Sequence, residues 1–180
     1  SEHHANQQTF GDPLGYGAME YVYHLLATAC GITMMPCRLL NEGKRRHFIT
    51  QRFDRVGNQK RHVQTLNGLA HINYKLVGSY SYAELFGVAR QLKLTTSDAE
   101  QLFKRMVFNV IARNHDDHAK NVAFMLNEQH QWELAPAYDL AYSYKPGSSW
   151  VNSHWMTLNG KRDHFTRRDF YSFEKISPLF

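Results

Sequence analysis

The stretch from Ser97 to Asp139 constrains this chain more than any other. Leu102, Phe103, Met106, Val107, Val110 and Ile111 recur at helical spacing, which predicts a helix with one apolar face, and Ser97 followed by Glu100 reads as its capping box. Directly after it come Asn114-His115-Asp116-Asp117-His118-Ala119-Lys120-Asn121, in which Ala119 alone is apolar. Val122 to Leu126, a polar turn through Asn127 to Gln131, and Trp132 to Ala135 then read as a β-hairpin, and Asp139 follows. A hairpin runs out and back, so Asn121 before it and Asp139 after it are expected to lie close together. A buried helix thus delivers a polar loop, and the hairpin brings a second carboxylate to it.

Two carboxylates and an amide at one place suit phosphoryl transfer. One carboxylate orients the attacking hydroxyl and takes its proton; the amide and the other carboxylate hold magnesium on the nucleotide phosphates. A kinase catalytic loop places its Asn five residues after the catalytic Asp. Asp116 meets that offset to Asn121, whereas five residues beyond Asp117 is Val122. Spacing therefore selects Asp116. A solvated Asp-Asp turn would account neither for that offset nor for Asp139. His118 reads as a hydrogen-bonding brace of the loop, and Lys120 as a solvated side chain. A rival reading takes His115, Asp116, Asp117 and His118 as the transition-metal cluster of a metal-dependent phosphohydrolase. It requires further histidines, and His24, His62, His71 and His154 show no partner spacing.

The rest of the chain frames this unit. With 180 residues, 43% of them hydrophobic, and no low-complexity tract, one domain is expected. Ala18 to Cys30 reads as a buried helix carrying Met19, Val22, Leu25, Leu26 and Ala29 on its core face, stopped by Gly31. Cys37 to Leu40 and His47 to Phe53 read as a hairpin around Asn41-Glu42-Gly43, with Lys44, Arg45 and Arg46 as a solvated turn. Cys30 and Cys37 read as free core thiols. Val56 to Gln64 reads as a polar connection, Ser81 with Glu84 as a capping box, Trp155 to Gly160 as a short strand and turn, and Arg162 to Phe173 as a closing helix started at Thr166. Charge interrupts every apolar run before membrane-spanning length, and no basic-then-apolar leader opens the sequence. A soluble cytoplasmic protein without membrane contact is expected. The formal charge of +5 permits anionic partners without choosing among them.

The 114–121 loop, the hairpin, and Leu134-Ala135-Pro136-Ala137-Tyr138-Asp139-Leu140 together resemble the catalytic and metal-binding motifs of HipA-type serine/threonine kinase toxins. The resemblance reaches back to Glu20 on the first helix and to Gln51-Arg52-Phe53-Asp54-Arg55, which looks like the strand entering the interlobe hinge. It implies an α+β fold: a mainly α-helical protein-kinase-like C-lobe (56–180) with a helix and β-hairpin remnant of the N-lobe and hinge (1–55). It implies Asp116 as catalytic base, Asn121 and Asp139 as Mg2+ ligands, and backbone contacts to the adenine of ATP from Gln51 to Phe53. It implies phosphorylation of a protein Ser or Thr, as on an aminoacyl-tRNA synthetase. It also implies a HipB-type helix-turn-helix antitoxin through which DNA is met indirectly, a setting in which a catalytically silent binding module is the alternative. Tyr142 to Trp150 is the candidate substrate surface.

The chain departs from the family at its beginning. Gly11, Gly15 and Gly17 do not form GxGxxG, and no upstream strand lysine is present. The expectation is a fragment without the phosphate-covering loop, weak in activity by itself. Glu20 is left open between a lysine partner of that lobe and a plain surface residue.

Overall fold

The computed structural model describes residues 15–43, 45–73 and 75–175. Gly11, Lys44 and the segment after Lys175 lie outside them. The elements run α1 (Tyr16–Ala29), β1 (Cys37–Glu42), β2 (Arg45–Thr50), β3 (Arg55–Val56), β4 (Gln59–Lys60), β5 (Val63–Thr65), α2 (Leu66–Leu69), α3 (Tyr82–Gln91), α4 (Thr96–Ile111), β6 (Ala123–Leu126), β7 (Trp132–Leu134) and α5 (Arg167–Tyr171), closed by a 3-10 turn at Ser172–Lys175. Among the described residues no helix is long and apolar enough to cross a membrane.

Three apolar clusters organise these elements. The largest joins α3 and α4 to Leu66, Phe124, Trp155, Met156 and Leu158. A second packs Tyr23, Ala27 and Ile32 against Phe108, Ala137 and Leu140. The third gathers Ala123, Met125 and Ala135 beside Phe53, Val63 and Tyr138. The two expected hairpins are present: β1 pairs antiparallel with β2, from Cys37 opposite Thr50 to Glu42 opposite Arg45, and β6 pairs antiparallel with β7. The first extends further toward its turn than expected, because Arg45 and Arg46 are strand residues.

The polar connection read at 56–64 holds structure of its own. Arg55–Val56 and Gln59–Lys60 pair as a small ribbon, and β5 adds to β6 as the third strand of its sheet. A three-residue strand whose sequence is Val-Gln-Thr carries too little periodicity to be read locally, and its pairing is settled by β6.

Both long helices are rotated from their expected faces. On α1, Val22, Leu25 and Leu26 are each about half exposed, whereas Tyr23 and Ala27 are buried. Tyr23 meets Phe108 edge-on with ring centroids 5.9 Å apart, and its hydroxyl donates to the Ala112 carbonyl. On α4, Phe103 and Ile111 are exposed while Arg105 and Asn109 are buried. Helix α4 is capped earlier along the chain than expected: the Thr95 side chain accepts from Asp98 N–H, and Asp98 accepts from Thr95 N–H and Oγ1–H. Ser97, expected as the cap, lies inside the helix. Ser81 and Glu84 cap α3 as expected. Helix α5 begins after Thr166, so Arg162 to Phe165 is not helical. Cys30 is exposed and Cys37 half-buried, so neither is a core thiol.

Candidate active site

The polar loop is neither helix nor strand from Asn114 to His118 and turns at Ala119 and Lys120, and burial alternates from His115 onward: His115, Asp117 and Ala119 are buried, whereas Asp116 and His118 are partly exposed and Lys120 is exposed. Asp116 and Asp117 therefore face opposite ways, and Asp116 is the one left half open, its side chain 46% exposed.

Asn121 closes the loop on itself. Its Nδ2 donates to the Asp116 carbonyl at 2.9 Å, and its N–H donates to the His118 carbonyl at 2.9 Å. That leaves the Asn121 Oδ1 as an acceptor. His118 Nε2 lies 3.6 Å from Asp116 Oδ1, within ion-pair range of the selected carboxylate, while its buried Nδ1 has no hydrogen-bond partner, so the expected hydrogen-bonding brace is not seen.

Asp139 arrives by strand pairing. Ala135 N–H bonds to Ala123 O, Ala137 N–H bonds to Thr33 O, and Met34 bridges to Ala137 in parallel. These bonds draw the segment after β7 against the end of α1. Asp139 itself is exposed and holds φ +56, a left-handed backbone uncommon outside glycine. Tyr138 beside it donates its hydroxyl to Lys120 O at 2.6 Å and stacks on Phe53 at 5.7 Å. One side chain thus joins the loop, the Asp139 segment and the end of the first hairpin. Burial, and then the Asp139 charge, pushes the Tyr138 hydroxyl up to about 12.

Two carboxyls here are raised above their ordinary range. Burial raises the Glu20 carboxyl above its ordinary range, and the Asp139 charge raises it further. Burial likewise raises Asp116; His118 opposes that shift, and Asp139 and Asp117 add to it. Glu20, Asp116 and Asp139 therefore form one electrostatic unit drawn from α1, the loop and the segment after β7. Glu20 is thus half-buried on α1 within the electrostatic reach of Asp139. Gln51 lies at the end of β2, exposed, with its N–H donated to Pro36 O, and Phe53 is half-buried in the third cluster.

The back of the loop is held by groups that periodicity and spacing did not single out. Asp117 accepts from Tyr82 and His154, both buried. Arg105 Nη2 donates to Ala135 O at 2.8 Å, and burial brings its guanidinium down to about 10. Asn109 links Tyr82 to Asn114. The signal available for these was the presence of Arg105 and Asn109 in the same helical stripe as Leu102 and Met106, where polar residues are buried only with partners. Among the described residues no three His, Cys, Asp or Glu side chains are grouped to hold a metal ion. The phosphohydrolase reading, which needs such a group, finds no support.

Comparison with known proteins follows the same lines. Residues 4–178 match the family model of the HipA-like C-terminal domain. A Sinorhizobium fredii protein named "Putative kinase Y4mE" is 25% identical over 125 residues, covering 64% of this chain and 30% of that protein. The fold superposes with TM-score 0.71 on a chain of the Shewanella oneidensis HipA, HipB and operator DNA complex, at 16% identity, over 93% of this chain and 45% of that one. This chain thus spans less than half the length of either relative.

Proposed function

Because this chain belongs to the HipA-like C-terminal domain family, we propose that it is the catalytic, mainly helical C-lobe of a serine/threonine protein kinase of the toxin-antitoxin type. In this reading α1 and the β1–β2 hairpin are the remainder of the N-lobe, and residues 56–180 are the C-lobe. The observation that carries it is a loop closed by the Asn121 Nδ2 hydrogen bond to the Asp116 carbonyl, with the segment bearing Asp139 tied to that loop by the Tyr138 hydroxyl on Lys120 O; the raised Glu20 and Asp116 carboxyls agree with it. Burial first, and the nearby Asp139 charge second, raise the Glu20 and Asp116 carboxyls, an environment that a cation would relieve.

The donor set fits magnesium. Asp139 and the Asn121 Oδ1 are hard oxygen ligands, and this ion is commonly bound by one or two protein oxygens together with substrate phosphates and water. Bound with ATP, it would neutralise charge on the phosphoryl group being transferred. Asp116, half open on the other side of Asn121, would orient the acceptor hydroxyl and take its proton. The Gln51 carbonyl and the Phe53 backbone are the proposed adenine contacts. Glu20, from α1, would hold the position that pairs with a phosphate-binding lysine in a complete kinase. The exposed Tyr142 and Trp150 mark the ends of the proposed protein-substrate surface.

The acceptor we propose is a protein Ser or Thr, for which an aminoacyl-tRNA synthetase is the family precedent. The presence of HipB and operator DNA in the solved relative's complex supports a helix-turn-helix antitoxin as partner, with DNA met through it.

Isothermal titration of Mg·ATP into the chain, beside the Asp139→Ala variant, tests the site. Saturable binding in the wild type that is weakened at least about tenfold in the variant, some 1.4 kcal/mol, is the expected result. Equal binding by both folded proteins would remove Asp139 from the nucleotide-metal site.

A further inference from the structure

Asp117 lies beside the proposed catalytic Asp116 yet faces the opposite way, into the protein. Its side chain has no exposure. Oδ2 accepts from the Tyr82 hydroxyl at 2.6 Å and lies 3.0 Å from His154 Nδ1; Oδ1 accepts from the Trp155 N–H at 2.7 Å and lies 3.4 Å from the Met156 N–H. These donors come from α3 and from a segment some forty residues further along the chain. The network continues through Asn109 Nδ2 to the Tyr82 oxygen and through Asn114 Nδ2 to Asn109 Oδ1. Asn114 is the first residue of the loop, so the loop is anchored at its start and at its middle, and Asn121 locks its end.

Burial alternates from His115 to Ala119, so Asp116 and Asp117 sit on opposite faces of the loop. Holding Asp117 inward therefore holds Asp116 outward. A buried carboxylate that lost these donors would be costly to leave in place, so the loop has one favourable orientation while they are present. His154 supplies the side-chain anchor from the C-terminal segment. Its ring is buried, the residue 2% exposed, and faces a carboxylate, so Nδ1 is the donor.

We propose that Asp117 and His154 are positioning residues for phosphoryl transfer: their buried hydrogen bond fixes the face of the loop on which Asp116 meets the acceptor hydroxyl. This rests on the kinase reading of Asp116. Neither residue touches nucleotide or metal in that reading, so their loss acts on turnover rather than on nucleotide binding.

The test compares His154→Leu, His154→Asn and Asp117→Asn in steady-state release of ADP from Mg·ATP. The amide introduced by His154→Asn can replace Nδ1 as donor; the aliphatic side chain introduced by His154→Leu cannot. Misplacing a reacting group by about 1 Å costs on the order of a hundredfold in rate. The expected result is a kcat lowered by at least about tenfold in His154→Leu and Asp117→Asn, with KM for Mg·ATP within about threefold, and recovery of at least about a third of wild-type kcat in His154→Asn. A purely structural role would lower the melting temperature while the folded fraction kept wild-type kcat; that result, or a His154→Asn as slow as His154→Leu, would overturn the proposal. Should Asp117→Asn not fold, the His154 pair decides. Should the wild-type chain, a C-lobe read as lacking the phosphate-covering lobe, show no turnover, the anchor is judged by amide hydrogen exchange. Faster exchange confined to residues 115–121 in His154→Leu, with α4 unchanged, would sustain it, and unchanged exchange there would overturn it.

Discussion

At the residue scale, the separation of Asp116 from Asp117 rests on two independent arguments that agree. The five-residue offset to Asn121 selects Asp116, and the alternation of burial along the loop leaves Asp116 partly exposed and Asp117 buried. The offset is visible in the sequence. The alternation needs the backbone conformation, and the partners of Asp117 lie 35 to 39 positions away from it. Asp169, by contrast, is held by partners only three to ten positions away. It is buried, and hydrogen bonds from Asn159, the Thr166 backbone and Lys161 hold its carboxyl well below the usual carboxylate range. A carboxyl with a depressed folded-state pKa stabilises the fold at neutral pH and loses that contribution as pH falls from about 4 toward the folded value. Urea unfolding of the wild type and Asp169→Asn should therefore differ most near pH 7 and converge as the pH is lowered below about 4. A difference that held constant with pH would deny the carboxylate its role.

At the element scale, the helices were legible in existence and less so in phase. Helix α4 has apolar residues enough for more than one plausible stripe, and packing chose the one that includes Arg105 and Asn109, because their partners Ala135, Tyr82 and Asn114 are supplied by other elements. Its cap was displaced for a local reason: Thr95-x-x-Asp98 and Ser97-x-x-Glu100 both satisfy the capping pattern, and the backbone turns extended at Thr95. Thr95→Ala should cost about 1 kcal/mol in chemical denaturation, and Ser97→Ala less than about 0.5 kcal/mol. Helix α1 lies so close to β2 that a Cβ at Gly17 would stand 2.2 Å from the Arg46 carbonyl oxygen. Gly17→Ala is expected to destabilise by about 1–3 kcal/mol. Gly87→Ala, in α3 with open space around it, should instead stabilise by about 0.5–1 kcal/mol. Thermal melts of the two variants would show opposite shifts, and matching shifts would mean that α1 does not depend on this close approach.

At the scale of the whole molecule, the candidate site exists because three separate segments meet. Helix α1 brings Glu20, the loop after α4 brings Asp116 and Asn121, and the pairing of Ala137 with Thr33 and Met34 draws Asp139 toward both. If these carboxylates await a divalent cation, Mg2+ with nucleotide should raise the melting temperature of the wild type. At a ligand concentration of about 100 Kd the gain is about 2.7 kcal/mol, and EDTA should abolish it. The Asp139→Ala protein should show little of that gain, and an equal gain in both would place the cation elsewhere. The sequence by itself determined the order of the parts: a capped apolar helix, a polar loop with its Asp-to-Asn offset, a hairpin and a returning Asp. Those features are local, set by side-chain period, turn residues and spacing, and the motifs they carry resemble the family whose model the chain matches. Tertiary structure alone decided the exposure of Val22 and Leu25, the third strand at Val63–Thr65, the approach of Glu20 to Asp139 and the burial of Asp117 against His154. Each of these depends on which distant surface an element packs against, and a pattern read within one segment carries no record of its partner.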